Sequence, residues 1–275
     1  MGADTKKLKT RIRSVDSTMH ITKAMELVAS SKLKHAMTAL DLNRPYTEAM
    51  AEVFTSLADC KSVFSQPRDE GKILVFTIAG DRGLAGGYNN DIFKMLRAFS
   101  DGKDVTVFSI GKRMHDYAAK RGISEVGVFP SVEDVTLDGC AEAGKLAADG
   151  FTDGTYDAVY VIYTSYRSVM SREPRAEKLL PLTKADDTAV KNDILFEPSS
   201  EEVLAAAVPE YVAGRIYGAV CESFTSELSA RRMAMDSATK NAGEMIDALS
   251  LKYNRARQGA ITQEITEIIG GSETQ

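Results

Sequence analysis

A glycine-rich stretch, AGDRGLAGGYN at 79–89, has the composition closest to a site for chemistry. It follows a short β-branched run and opens a helical pattern, which is where nucleotide folds hold phosphates. The spacing argues otherwise. There is no GxGxxG and no GxxxxGK[ST], and no lysine within the stretch to reach a phosphate. A tight strand-to-helix turn, with glycines supplying positive φ and close packing, accounts for the same residues. The three histidines, His20, His35 and His115, are scattered, the first two 15 residues apart on one helical pattern. No cysteine or carboxylate cluster gives them metal spacing. No GxSxG elbow or Cys–His arrangement is visible either. Tyr160, Tyr163 and Tyr166 fall in or beside one strand, where aromatic residues serve as core or cross-strand pairs. No catalytic, cofactor-binding or metal-binding residue is therefore assigned.

The elements around that turn divide the chain into three parts. Helical periodicity runs from about 5 to 58, SQPRDEGK (65–72) breaks it, and strands then alternate with short helices. KILVFTIAG (72–80), DVTVFSIG (104–111), ISEVGVF and YDAVYVIYTSY (156–166) read as strands. GGYNNDIFKMLRAF, KRMHDYAAKRG closed by Gly122, and SVEDVTLDGCAEAGKLAADG capped by Ser131 read as helices. SVMSREPRAEKLLPL (168–182) is expected to return as a hairpin partner. This alternation predicts a mostly parallel sheet covered on both faces. From Ser199 the pattern is helical to Ile269, with Pro209 separating a short first helix and Gly270 and Gly271 ending the last. The expected domains are 1–58 and 199–275, forming one discontinuous helical domain, and 71–196, the α/β insert.

Both terminal segments carry heptads. Leu8, Ile12, Val15, Met19, Thr22, Glu26, Ala29, Leu33, Ala36 and Leu40 step alternately by 4 and 3, as do Met235, Ala238, Ala242, Met245 and Leu249. Pro45 is expected to kink or locally unwind the first helix. The two helices leave opposite ends of the insert, so they are expected to pair antiparallel. At 1.5 Å per residue they span roughly 80 Å and 105 Å, so about the last 17 residues of the second should project. That tip still carries Ala260, Ile261, Ile265, Ile268 and Ile269. In ITKAMELVASSKLKHA (21–36), Ile21, Ala24, Met25, Leu27, Val28 and Ala29 cover an arc of about 200°, wider than one buried stripe needs. Both features ask for a covering surface outside the chain.

Bulk composition is that of an ordinary soluble chain: 275 residues, 44% hydrophobic, 27% charged, net charge −5. Residues 1–35 are locally basic, with eight Lys or Arg against three acids. Cys60, Cys140 and Cys221 make no CxxC pair and suit a reducing compartment. No run of 18 apolar residues suggests a membrane span, and no apolar stretch after the basic start suggests a secretory signal.

The sequence resembles the gamma subunit of the F-type ATP synthase, the central rotor shaft. The likeness covers essentially the whole chain. It is strongest in RIRSVDSTMHITKAMELVASSKLKHA (11–36) and SELSARRMAMDSATKNAGEMIDALSLKYNRARQGAITQEITEIIGG (226–271). GDRGLAGGYN (80–89), SREPRAEKLLPL (171–182) and GRIYGAVCESFTSE (214–227) support it. The resemblance implies an α/β fold in which a long antiparallel coiled coil of N- and C-terminal helices carries an inserted Rossmann-like α/β domain. It implies a non-catalytic subunit without a cofactor, coupling ion flow to ATP synthesis or hydrolysis by rotation. The implied partners are the alpha and beta subunits of the catalytic head, the epsilon subunit and the c-subunit ring, with no nucleic acid. The implied place is peripheral, on the cytoplasmic face of a bacterial inner membrane. Residue by residue, Met25 matches the family's methionine near the acidic lever of beta, with Lys23 beside it. Arg257 and Gln258 match the residues that meet a beta catch loop. Ile261 and Ile265 would turn in an apolar collar. Arg11 and Arg13 are basic in the family pattern. No inserted dithiol loop is present, so thiol switching is not expected. Two other readings stay open at this stage: a nucleotide-dependent α/β enzyme with a helical dimerisation arm, and a coiled-coil scaffold that binds nucleic acid through its basic start.

Overall fold

The computed structural model describes residues 3–57, 62–182 and 196–272. Helix α1 (Ala3–Ser56) is followed by a 3₁₀ turn (Val63–Ser65) and strand β1 (Lys72–Ile78). Then come α2 (Tyr88–Phe99), β2 (Asp104–Ile110), α3 (Lys112–Arg121), β3 (Glu125–Phe129) and α4 (Leu137–Thr152). Strands β4 (Ala158–Tyr166) and β5 (Arg172–Leu180) precede the last helix, α5 (Ser200–Ser272). Contacts group the chain into two compact units, Met1–Ser30 with Arg231–Gln275, and Ser31–Ala230.

The larger unit is built on a five-stranded sheet in the order β3-β2-β1-β4-β5. Strands β1 to β4 are parallel and β5 runs antiparallel along β4. Six of the seven residues of KILVFTI are buried, as a central strand covered on both faces requires. Ile73 and Val75 pack with Ile92 and Leu96 of α2 and Met114 and Ala118 of α3. Leu74, Phe76 and Ile78 face the other way, into a cluster with α4 and with Leu204, Val208, Val212 and Ile216 of α5. Gly111, at the end of β2, has φ 92°, and a Cβ there would lie 2.0 Å from the carbonyl oxygen of Ala79. Within this unit α1 and α5 run antiparallel. Leu33 packs on Leu228, Asn43 lies beside Gly218, and Tyr46 lies beside Gly214.

Four details depart from sequence expectation. Helix α4 starts at Leu137, capped by Thr136, whose hydroxyl accepts from the Gly139 N–H; Ser131 instead donates to Asp81. Pro209 lies inside α5 and does not split off a short helix, and α1 stays helical through Pro45 without unwinding there. Each proline removes one i→i−4 bond, from the carbonyls of Asp41 and Ala205. Both residues are exposed, so water can take those acceptors. Helix α5 also runs through Gly270 and Gly271 to Ser272. The expected end of the first helix at Ala58 lies outside the described residues.

Candidate functional site

In the smaller unit the heptad positions of α1 form the covered line. Leu8, Ile12, Val15, Met19, Thr22 and Glu26 are half-buried and Ala29 is buried, while most of their neighbours are exposed. On α5 the covered line is Met235, Thr239, Ala242, Ile246, Leu249, Tyr253, Ala256 and Ala260. Met245, a seam position by sequence, is 45% exposed, and Ile246 takes its place. Thr239 explains the choice. Its Oγ1 lies 2.8 Å from Oγ1 of Thr22, so 239 joins the seam beside the half-buried Ala238 and draws Ile246, seven residues on, in with it. Each hydroxyl also reaches a carbonyl of its own helix, Met19 at 3.0 Å and Met235 at 2.9 Å. A polar pair inside an apolar seam fixes register at some cost in stability.

Beside this layer four charges interlock. Lys23 donates to Glu26 at 2.8 Å and Lys240 to Asp236 at 2.7 Å. The hydrogen bond from Lys240 holds Asp236 below the usual carboxylate range, with Lys23 and Arg232 adding to it. The bond to Asp236 raises Lys240, with Glu26 contributing. Lys23 is thus engaged within its own helix. Met25 next to it is half-buried.

Among the exposed charged and polar groups of this unit stand several large apolar side chains that the seam leaves uncovered. Ile21, Leu27 and Val28 are each close to 60% exposed, so the second apolar face is left bare over 21–28. On α5, Leu251 is exposed, a residue that heptad counting had not singled out. From Ile261 onward every described side chain is exposed, Ile261 at 45% and Ile265 at 51%. Arg257 and Gln258 are exposed one turn earlier. The six candidate residues therefore form two groups. Lys23 and Met25 lie beside the Thr22–Thr239 layer; Arg257, Gln258, Ile261 and Ile265 lie roughly 30 Å further along α5.

The glycine-rich turn belongs to the larger unit. Its Asp81 carboxylate accepts from Lys112 N–H at 3.2 Å, from Val132 N–H at 3.1 Å and from the Ser131 hydroxyl at 3.1 Å. Lys112 N–H is a free donor at the first turn of α3, the kind of group that holds a phosphate in nucleotide folds. Here the chain's own carboxylate takes it. Gly80 N–H donates to Asn89 Oδ1 at 2.8 Å, and Gly86 and Leu84 have positive φ. The turn is therefore packed and hydrogen-bonded as the tight connection its glycines suggested. Among the described residues, no group of three potential metal ligands occurs, and no helix is long and apolar enough to cross a membrane.

Comparison with known proteins matches this arrangement. A family described as ATP synthase matches residues 4–274. An ATP synthase gamma chain from Ruminococcus albus is 41% identical over 280 residues, covering 98% of each chain. A relative from Acetobacterium woodii described as "ATP synthase gamma chain, sodium ion specific" is 38% identical and covers 99% of each. In fold, the chain is similar to one in a Euglena gracilis mitochondrial ATP synthase structure containing OSCP, F1 and c-ring, with a TM-score of 0.75 at 18% identity, covering 100% of this chain and 95% of that one. A rotor chain from the same source has a TM-score of 0.71. Likeness over nearly the full length, joined to paired terminal helices around an α/β sheet, places the chain in the gamma-chain family of F-type ATP synthases, the central stalk whose rotation couples ion flow to ATP synthesis or hydrolysis.

Proposed function

We propose that the unit formed by 1–30 and 231–275 turns inside a sleeve made by the alpha and beta subunits, and that catalysis resides in the beta subunits. The observation that carries this reading is the apolar surface left over once the seam is closed. Ile21, Leu27 and Val28 on α1 and Ile261 and Ile265 on α5 have no reason to face water in a protein that works alone. In this reading Ile261 and Ile265 run in an apolar collar, and Arg257 and Gln258 meet a beta catch loop. Met25 lies against the acidic lever of beta. Glu26 already holds the Lys23 ammonium that the lever's carboxylates would need, so the contribution of Lys23 is secondary to that of Met25. The larger unit docks the epsilon subunit and the c-subunit ring, and the protein is held peripherally on the cytoplasmic face of a bacterial inner membrane.

Driving force supports distributed contact. One charge crossing 100 mV releases about 2.3 kcal/mol, and several cross per ATP, whereas an exposed ion pair gives at most about 1 kcal/mol. No single pair can transmit the work. The test is co-purification: an affinity-tagged chain expressed in its own cell should bring down alpha, beta, epsilon and c subunits. Recovery of the tagged chain alone, well dispersed and monomeric, would count against the reading.

A further inference from the structure

We propose that Glu222, Ser223, Ser226 and Ser229 of α5 form a hydrogen-bonded torque clamp that locks the shaft helix to the end of the sheet. The inference rests on the rotary role of the family and adds the residues that carry torque between the α/β fold and the helix.

The stretch ESFTSELS, 222–229, breaks a helix rule. Serine and threonine are poor in helix interiors because their hydroxyls compete for backbone groups. Yet Ser223, Thr225, Ser226, Glu227 and Ser229 are all buried, at 3% exposure or less. Their partners explain why. Ser226 Oγ donates to the carbonyl of Thr164 at 3.2 Å, and Ser223 Oγ accepts from the N–H of Thr164 at 3.4 Å. Glu222 accepts from the Ser165 hydroxyl at 2.8 Å and from Tyr166 N–H at 3.1 Å. Ser229 Oγ donates to the carbonyl of Val169 at 2.6 Å, and the Tyr88 hydroxyl meets Ser223 Oγ at 2.7 Å. Strand β1 ends at Ile78 and its last partner on β4 is Ile162, so residues 164–166 of β4 run on past it. The helix side chains stand where a strand would have paired.

Direction is what such bonds add. Apolar contact is non-directional, whereas hydrogen bonds weaken steeply with misalignment. With side-chain tips about 5 Å from the helix axis, a turn of about 15° shifts them by roughly 1.3 Å. Along a bond, a shift of that size takes a 2.8 Å contact to about 4.1 Å, past the bonding range; across it, the length barely changes and the alignment is what suffers. The clamp residues occupy successive turns of one face, so a twist of α5 strains them together.

The test uses the reconstituted holoenzyme carrying Ser223→Ala, Ser226→Ala and Ser229→Ala together. Thr225→Val is the control: it removes a buried hydroxyl of the same stretch that bonds the Cys221 carbonyl of its own helix. ATP hydrolysis, ATP-driven ion pumping and stalk torsional stiffness from single-molecule fluctuation are measured. The triple variant should keep hydrolysis but lose at least about twofold in ions pumped per ATP, the low end of what single changes do to coupling between sites. Its torsional stiffness should fall, and Thr225→Val should retain both. If the triple variant does not assemble, Ser226→Ala alone is compared with Thr225→Val on the same two readouts. Wild-type pumping per ATP and stiffness in the serine variant, or equal losses in the control, would overturn the clamp. Failure of the unaltered chain to join an ATP synthase would overturn the family role instead.

Discussion

Replacing Ile261 and Ile265 together by serine perturbs an exposed apolar stripe near the end of α5. The two side chains are 45% and 51% exposed. A free isoleucine presents roughly 180 Å², so the pair offers about 170 Å² to a covering surface, or about 4 kcal/mol at roughly 25 cal/mol per Å². Serine retains little of that. Because every 1.4 kcal/mol is about tenfold in an equilibrium constant, retention of the chain in the complex should weaken by up to roughly 10³-fold. The isolated chain should barely notice, since exposed substitutions usually stay within about 0.5 kcal/mol. The assay is paired: thermal unfolding of the isolated chain, and its dissociation from the purified complex on warming, followed by gel filtration. The expected result is an unchanged melting temperature with much faster loss from the complex. Equal retention of variant and wild type would refute the collar, and a large drop in the isolated melting temperature would show that the tip packs within the chain.

Three further outcomes follow from the same structure. Met25→Ala should be tolerated, whereas Met25→Lys adds a cation beside the Lys23–Glu26 pair and should lower pumping per ATP in the reconstituted enzyme. Burial pushes the Cys140 thiol up to about 12 and the Cys221 thiol up to about 11. Both should therefore resist iodoacetamide at pH 8, where the thiolate fraction is roughly one in a thousand or less, and should label as pH rises; peptide mapping that finds rapid native labelling at pH 8 would contradict this. Gly111→Ala combines φ 92° with a Cβ 2.0 Å from a backbone oxygen and should cost at least about 3 kcal/mol in denaturant unfolding.

Much of this fold is legible because its signals are periodic. The α1 seam from Leu8 to Leu40 could be counted from the sequence, and the structure continues it through Asn43, Thr47, Met50, Phe54 and Leu57. Counting failed where two registers fit equally well. Met245 and Ile246 are both apolar, and only the contact between Thr22 and Thr239 across the seam decides between them. Ser131 looked like a cap because the local pattern is right, but a longer-range partner, Asp81, claims its hydroxyl. The prolines misled because their cost depends on whether the freed carbonyl faces water, which sequence does not state. The serines of 222–229 passed as ordinary members of a helical pattern, because their partners at Thr164 and Val169 lie about 60 residues away.

The central claim is that this chain turns. Lys120, exposed near the end of α3, can be changed to cysteine and coupled to a light-scattering bead in a head complex immobilised through its alpha and beta subunits, with Cys60 changed to serine. During ATP hydrolysis the bead should rotate in one direction in discrete steps. A bead that only fluctuates about a fixed angle while the same complexes hydrolyse ATP would contradict the account.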